Sequence, residues 1–127
     1  MPLAWIVDDD DEMTHAVKLM LEMLGFRIQA YRDARTAARY LLAGRKPDVL
    51  ILDINMPEVT GIDMLEFIRM RPELRTLPVV MLSSETTDTQ VDEALELGAN
   101  AYVFKPVAID ELESALKEAM GEAYSGG

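Results

Sequence analysis

Five short apolar runs punctuate the chain: Leu3 to Val7, Phe26 to Tyr31, Val49 to Leu52, Leu77 to Leu82 and Ala101 to Phe104. Each has the length and continuity of a strand buried on both faces. Between them, apolar residues return at steps of three and four, the period of one helix face. Ala16, Val17, Met20, Leu21 and Leu24 form the first such stripe, and Ala34, Ala37, Ala38, Leu41 and Leu42 the second. Val91, Ala94 and Leu95, then Ile109, Leu112, Ala115 and Leu116, form the later ones. Thr60 with Asp63, and Thr87 with Gln90, have the spacing of a reciprocal N-terminal cap, while Gly25, Gly44 and Gly98 stand where helices should stop. Strict alternation of strand and helix predicts an α/β fold. Its core is a doubly wound, five-stranded parallel sheet with helices on both faces, because parallel neighbours need helical crossovers. One domain over residues 1–122 accounts for the pattern, with 123–127 expected as a flexible C-terminal tail.

Composition narrows the partners. The 127 residues include 12 Lys and Arg against 23 Asp and Glu, a net charge of −11, and no cysteine. Disulfide frameworks, thiol catalysis and cysteine-based zinc sites are thereby excluded. An excess of negative charge repels nucleic acid and anionic membrane surfaces, so neither is expected as a direct partner. No run approaches the ~18 apolar residues that would cross a bilayer, and the chain reads as a cytoplasmic protein.

Candidate chemistry lies where polar residues follow the strands. Asp8 and Asp9 come directly after the first run, Asp53 after the third, Ser83 and Ser84 after the fourth, and Lys105 after the fifth. In an open parallel sheet, residues just past the carboxyl ends of the strands converge on one crevice. Three carboxylates in such a place cannot all stay ionised against one lysine, because like charges raise one another's pKa. A hard divalent cation resolves the repulsion, and few carboxylates completed by water and a phosphate oxygen suit Mg²⁺ better than Ca²⁺. A carboxylate that faces Mg²⁺, a lysine and a hydroxyl is equipped to attack phosphorus.

These residues resemble a known family. Val7-Asp8-Asp9, then Asp53-Ile54-Asn55-Met56-Pro57 with Gly61, then Ser83-Ser84-Glu85, then Lys105-Pro106 are similar to the receiver domain of two-component response regulators, with Asp53 standing 45 positions after Asp8. The resemblance covers nearly the whole chain and implies a flavodoxin-like sheet of order 2-1-3-4-5. It implies that Asp53 is the phospho-acceptor, taking a phosphoryl group from a sensor histidine kinase or a histidine phosphotransfer protein. Asp8, Asp9, Asp53 and the backbone carbonyl of Asn55 would hold Mg²⁺. Ser83 and Lys105 would contact the phosphoryl group, Tyr102 would be an aromatic switch coupled to Ser83, and Lys105-Pro106 would be cis. Phosphorylation would then remodel a face made of the fourth helix, fifth strand and fifth helix toward a downstream effector. The protein would be a phosphorylation-controlled switch and no enzyme beyond its own phosphotransfer and dephosphorylation. Thr60 stands where the family often has Asp, which changes a cap and leaves the acceptor site untouched.

Plainer readings suit other residues. Asp10, Asp11 and Glu12 belong at the positive end of the first helix. His15 has no partner motif, Trp5 reads as core, and most of the nine methionines fall on apolar stripes. Other functions fit less well. An aspartyl phosphohydrolase of the haloacid dehalogenase-like type needs a second acid at the place of Asn55. A flavin phosphate would meet Asp8 to Glu12 where it needs a neutral loop. A receiver-like interaction module without phosphotransfer would have no use for the full set of acids, hydroxyl and lysine.

Overall fold

The computed structural model describes residues 1–84 and 88–124. Along the chain come β1 (Leu3–Val7), α1 (Asp11–Met23), β2 (Arg27–Tyr31), α2 (Ala34–Leu42), β3 (Val49–Asp53), α3 (Gly61–Met70), β4 (Val79–Ser83), α4 (Asp88–Glu96), β5 (Ala101–Phe104) and α5 (Ile109–Met120). The strands form one sheet in the order β2-β1-β3-β4-β5, all neighbours parallel. This is the doubly wound order expected from the residues and their family resemblance.

Side-chain alternation along the strands divides the core into two layers. Ala4 and Ile6 of β1, Val49 and Ile51 of β3, and Val80 and Leu82 of β4 pack with Val17 and Leu21 of α1 and Leu112 and Leu116 of α5. Trp5, Val7, Leu50, Leu52, Val79 and Met81 face the other way, against α2, α3 and Ala94 of α4. The central strands β3 and β4 are buried throughout, which explains their unbroken apolar sequence. Strands β2 and β5 are the two edges, and β2 is largely exposed.

Strand boundaries shift slightly from the apolar runs. Phe26 is buried but precedes β2, and Leu77 precedes β4. Asp53 and Ser83, expected just beyond their runs, are instead the last residues of β3 and β4. Helix ends follow their signals. Gly25, Gly44 and Gly98 have φ of 90°, 91° and 107°, which lets the chain turn out of α1, α2 and α4. Asp10 caps α1, accepting from the Glu12 and Met13 amides, and Asp33 caps α2. Thr60 and Asp63 form the reciprocal cap of α3; the proposed partner cap at Thr87 lies outside the described residues, as does Glu85.

Methionine is less uniformly internal than the stripes suggested. Met56, Met64, Met81 and Met120 are buried, whereas Met1, Met23 and Met70 are exposed. Met23 and Met70 close α1 and α3 on the solvent side, while Leu24 and Ile68 beside them are buried. Of residues 123–127, Ala123 ends a short 3₁₀ turn and Tyr124 packs near Phe26, donating its hydroxyl to Glu113 at 3.1 Å. The other three lie outside the described residues. Among the described residues no helix is long and apolar enough to cross a membrane.

Candidate functional site

The carboxyl ends of β1, β3, β4 and β5 finish almost level. Val7 pairs with Leu52, Asp53 with Leu82, and Ser83 with Phe104. Backbone hydrogen bonds carry the ladder one residue further: Asp8 N–H to Tyr31 O at 3.1 Å, Ile54 N–H to Leu82 O at 3.0 Å, and Lys105 N–H to Ser83 O at 2.8 Å. The side chains of Asp8, Asp53, Ser83 and Lys105 are therefore delivered by rigid strand ends. Among the described residues, the only polar or charged ones that are buried are Asp8 (1% exposed), Asp53 (2%) and Ser83 (0%). A core does not normally admit carboxylates without compensation, and both of these belong to one site.

Compensation is partial. Lys105 Nζ lies 3.0 Å from Asp8 Oδ2 and 3.3 Å from Asp53 Oδ1. The Asn55 N–H donates to Asp53 Oδ1 at 3.3 Å, and the Asp10 N–H donates to Asp8 Oδ1 at 2.9 Å, fixing both carboxylates by local turns. Burial still dominates at Asp53. Together with the charge of Asp8 it pushes the carboxyl up to about 6, while Lys105 and the Asn55 amide pull it back. Burial opposes the charge on Lys105, but its bonds to Asp8 and Asp53 outweigh this and hold it above the ordinary lysine value.

Asp9 adds a third acid, exposed at the rim. Asp8, Asp9 and Asp53 each offer a carboxylate oxygen, and these oxygens lie within 4.8 Å of one another. Asp8 Oδ2, though ion-paired, is buried without a well-directed hydrogen bond. Three hard oxygen donors, an excess of negative charge and an under-satisfied oxygen fit a small divalent cation such as Mg²⁺.

The loop after Asp53 is held by close backbone packing. The Gly61 N–H donates to Ile54 O at 3.0 Å, and a Cβ on Gly61 would fall 2.8 Å from Asp53 C and from Ile54 Cα. Only glycine lets α3 begin against the end of β3. The sequence reading included Gly61 without giving it this role; a glycine directly after the capping Thr60 was the available signal. Asn55 is exposed, and its side-chain amide donates to Ser84 Oγ at 3.3 Å, tying the loops after β3 and β4 together.

Tyr102 is not part of the cluster. It is 41% exposed on β5, its ring edge-on to Phe104 with centroids 5.2 Å apart. The Lys105–Pro106 peptide is cis. Asp11 points away, 3.5 Å from Arg32, and His15 is exposed.

Residues 4–117 match the family described as Response regulator receiver domain. The chain belongs to that family. Among its relatives, the chemotaxis protein CheY of Pseudomonas aeruginosa is 38% identical over 113 residues, covering 89% of this chain and 91% of that one. The transcriptional regulatory protein KdpE of Mycobacterium tuberculosis is 33% identical over 120 residues, covering 94% of this chain but 51% of its own length. This receiver domain thus spans nearly all of some relatives and about half of others. A putative response regulator from Chloroflexus aurantiacus superposes with a TM-score of 0.89 at 28% identity, covering 95% of this chain and 98% of that one. Response regulators of this family act as signalling switches paired with histidine kinases and effectors.

Proposed function

We propose that this receiver domain accepts a phosphoryl group on Asp53 from the phosphohistidine of a sensor kinase or histidine phosphotransfer protein. The observation that carries the reading is the buried Asp53 carboxylate, held by the Asn55 amide and facing Asp8 and Lys105 at the level end of four strands. An Asp53 carboxylate oxygen attacks phosphorus, the P–N bond to the imidazole breaks, and its electron pair returns to the imidazole nitrogen. Lys105 Nζ, already 3.3 Å from Asp53 Oδ1, is positioned to neutralise an oxygen of the transferring group. Asp8, Asp9, Asp53 and the Asn55 carbonyl are the residues that would hold Mg²⁺, which supplies charge neutralisation of the phosphoryl oxygens.

Phosphorylation adds nearly two negative charges beside Ser83 and Lys105. Ser83 turns its hydroxyl to the phosphoryl oxygens, drawing the loop after β4 with it. Tyr102, outward here, turns into the space vacated, and the α4–β5–α5 face changes shape for a downstream effector. The activity is cytoplasmic and requires no direct contact with nucleic acid or membrane.

Incubation with acetyl phosphate and Mg²⁺ is expected to add one phosphoryl mass, lost in Asp53→Asn and in the presence of EDTA. An unchanged mass, or equal phosphorylation of Asp53→Asn, would refute the assignment.

A further inference from the structure

Charge is distributed unevenly along this acidic chain. Six of its twelve Lys and Arg fall between residues 27 and 46, a stretch that contains one acid, Asp33. That segment is β2, α2 and the loop leading to β3; Arg32 and Arg35, just past the end of β2, pair with Asp11 and Glu58, whereas Arg27, Arg45 and Lys46 lie at the amino ends of β2 and β3, away from the Asp53 site. There the short helix α2 leaves part of the sheet uncovered, and a groove of about 490 Å³ opens beside β2. Leu3, Trp5, Arg27, Gln29, Arg45 and Lys46 line it, Trp5 being itself buried.

Three features of the groove point to one kind of occupant. The first is unspent positive charge. Among the described residues Arg27, Arg45 and Lys46 make no ion pair; Arg45 stacks over Tyr40 at 5.1 Å, and the nearby acids are engaged elsewhere. Asp48 accepts the Leu3 N–H at 2.6 Å, and Glu73 pairs with Arg71 at 2.7 Å. The second is a strand edge that no other strand of the described residues pairs. Arg27 N–H bonds to Pro2 O, and Tyr31 O accepts from Asp8 N–H. Alternation along a parallel ladder then turns the N–H and C=O groups of Ile28 and Ala30 toward the free edge. The third is the placement of the charges: Arg27 and Gln29 project from one face of β2 and share the groove with Arg45 and Lys46, within reach of alternate side chains of an added strand.

We propose that the β2 edge and its groove form a docking site for an acidic, extended segment of a partner protein, added to the sheet as a sixth strand. Carboxylates on one face of that segment meet Arg27, Arg45 and Lys46, while its alternate residues point to the opposite face of the sheet. A second copy of this chain is disfavoured, since pairing two β2 edges brings both cationic walls together. Duplex DNA would meet the acidic remainder of the molecule as well as the basic flank.

The test uses the full chain and a short fluorescent peptide alternating glutamate and valine. Binding is expected with a Kd below about 1 mM, with NMR shifts at the Ile28 and Ala30 amides, and weakening as salt is added. The triple variant R27E/R45E/K46E is expected to lose at least about tenfold in affinity. Ala30→Pro removes only an edge-facing N–H, a position where an edge strand tolerates proline, and is expected to weaken binding while leaving the fold's amide spectrum intact elsewhere. Arg27→Ala serves as a milder variant should the triple change unfold the domain. Asp53→Asn should bind the peptide as the parent does, which separates this site from the phosphorylation reading. No binding at millimolar peptide, equal binding of tripolyphosphate or duplex DNA, insensitivity to Ala30→Pro, or self-association through β2 would each overturn the proposal.

Discussion

Asp53→Asn should make the metal-free domain more stable. The carboxyl is 2% exposed, and burial and the charge of Asp8 raise it from 3.8 to about 6. A carboxyl that holds its proton more tightly when folded makes the folded state bind more protons than the unfolded chain between those two values. Stability therefore falls as pH rises through that window. At pH 7 the full cost is present, about 3 kcal/mol at about 1.4 kcal/mol per unit. Asparagine mimics the protonated acid, keeps an acceptor for the Asn55 N–H and removes the cost. In a domain of this size the gain corresponds to roughly 10 °C in Tm. Urea or thermal unfolding in EDTA at pH 7 should show it, and at pH 4 the difference should shrink to under about 1 kcal/mol. Millimolar Mg²⁺ should narrow the gap at pH 7 by stabilising the parent more than the variant. An Asp53→Asn protein that is no more stable than the parent at pH 7, or whose gain is equally large at pH 4, would refute the claim that desolvation and repulsion dominate this site.

Other substitutions test the surrounding construction. Gly61→Ala drives a methyl into the Asp53 and Ile54 backbone; unfolding measurements should show a loss of about 1–3 kcal/mol, with slower phosphorylation by acetyl phosphate because the acceptor strand must move. Asp33 accepts the Thr36 N–H at 2.7 Å, which lowers its pKa. Asp33→Ala should cost about 1 kcal/mol at neutral pH, and the cost should fade as pH drops through the folded value, since a depressed carboxyl gives its stability only while ionised. Arg69 binds Gly98 O at 2.9 Å and Asn100 Oδ1 at 2.8 Å, joining α3 to the loop before β5. Arg69→Met should cost about 2 kcal/mol in denaturant unfolding and speed amide exchange near Gly98 more than in β1.

The alternation of apolar runs and helical stripes made the architecture legible because strands buried on both faces leave an unmistakable pattern, as Val49 to Leu52 do. Asp8, Asp9, Asp53, Ser83 and Lys105 were legible as candidates because each follows a run, and parallel strands must end on the same side. Spacing gave no access to exposure. Asp8 is buried while its neighbour Asp9 is exposed, and Tyr102 stays outward on its strand. The methionine reading failed for the same reason at Met23 and Met70, which face solvent at the ends of their helices.

By itself, the chain order of residues determined the strand and helix inventory, the helix cap at Thr60, and the set of acids, hydroxyl and lysine available at strand ends. These depend on local periodicity and short-range hydrogen bonds, which one-dimensional spacing records. Tertiary structure alone decided that Lys105 is shared by Asp8 and Asp53, that Gly61 must lack a side chain, and that Arg27, Arg45 and Lys46 meet in one groove beside the β2 edge. Those facts arise where segments far apart in sequence meet, and their energies depend on distances and burial that exist only once the sheet has closed.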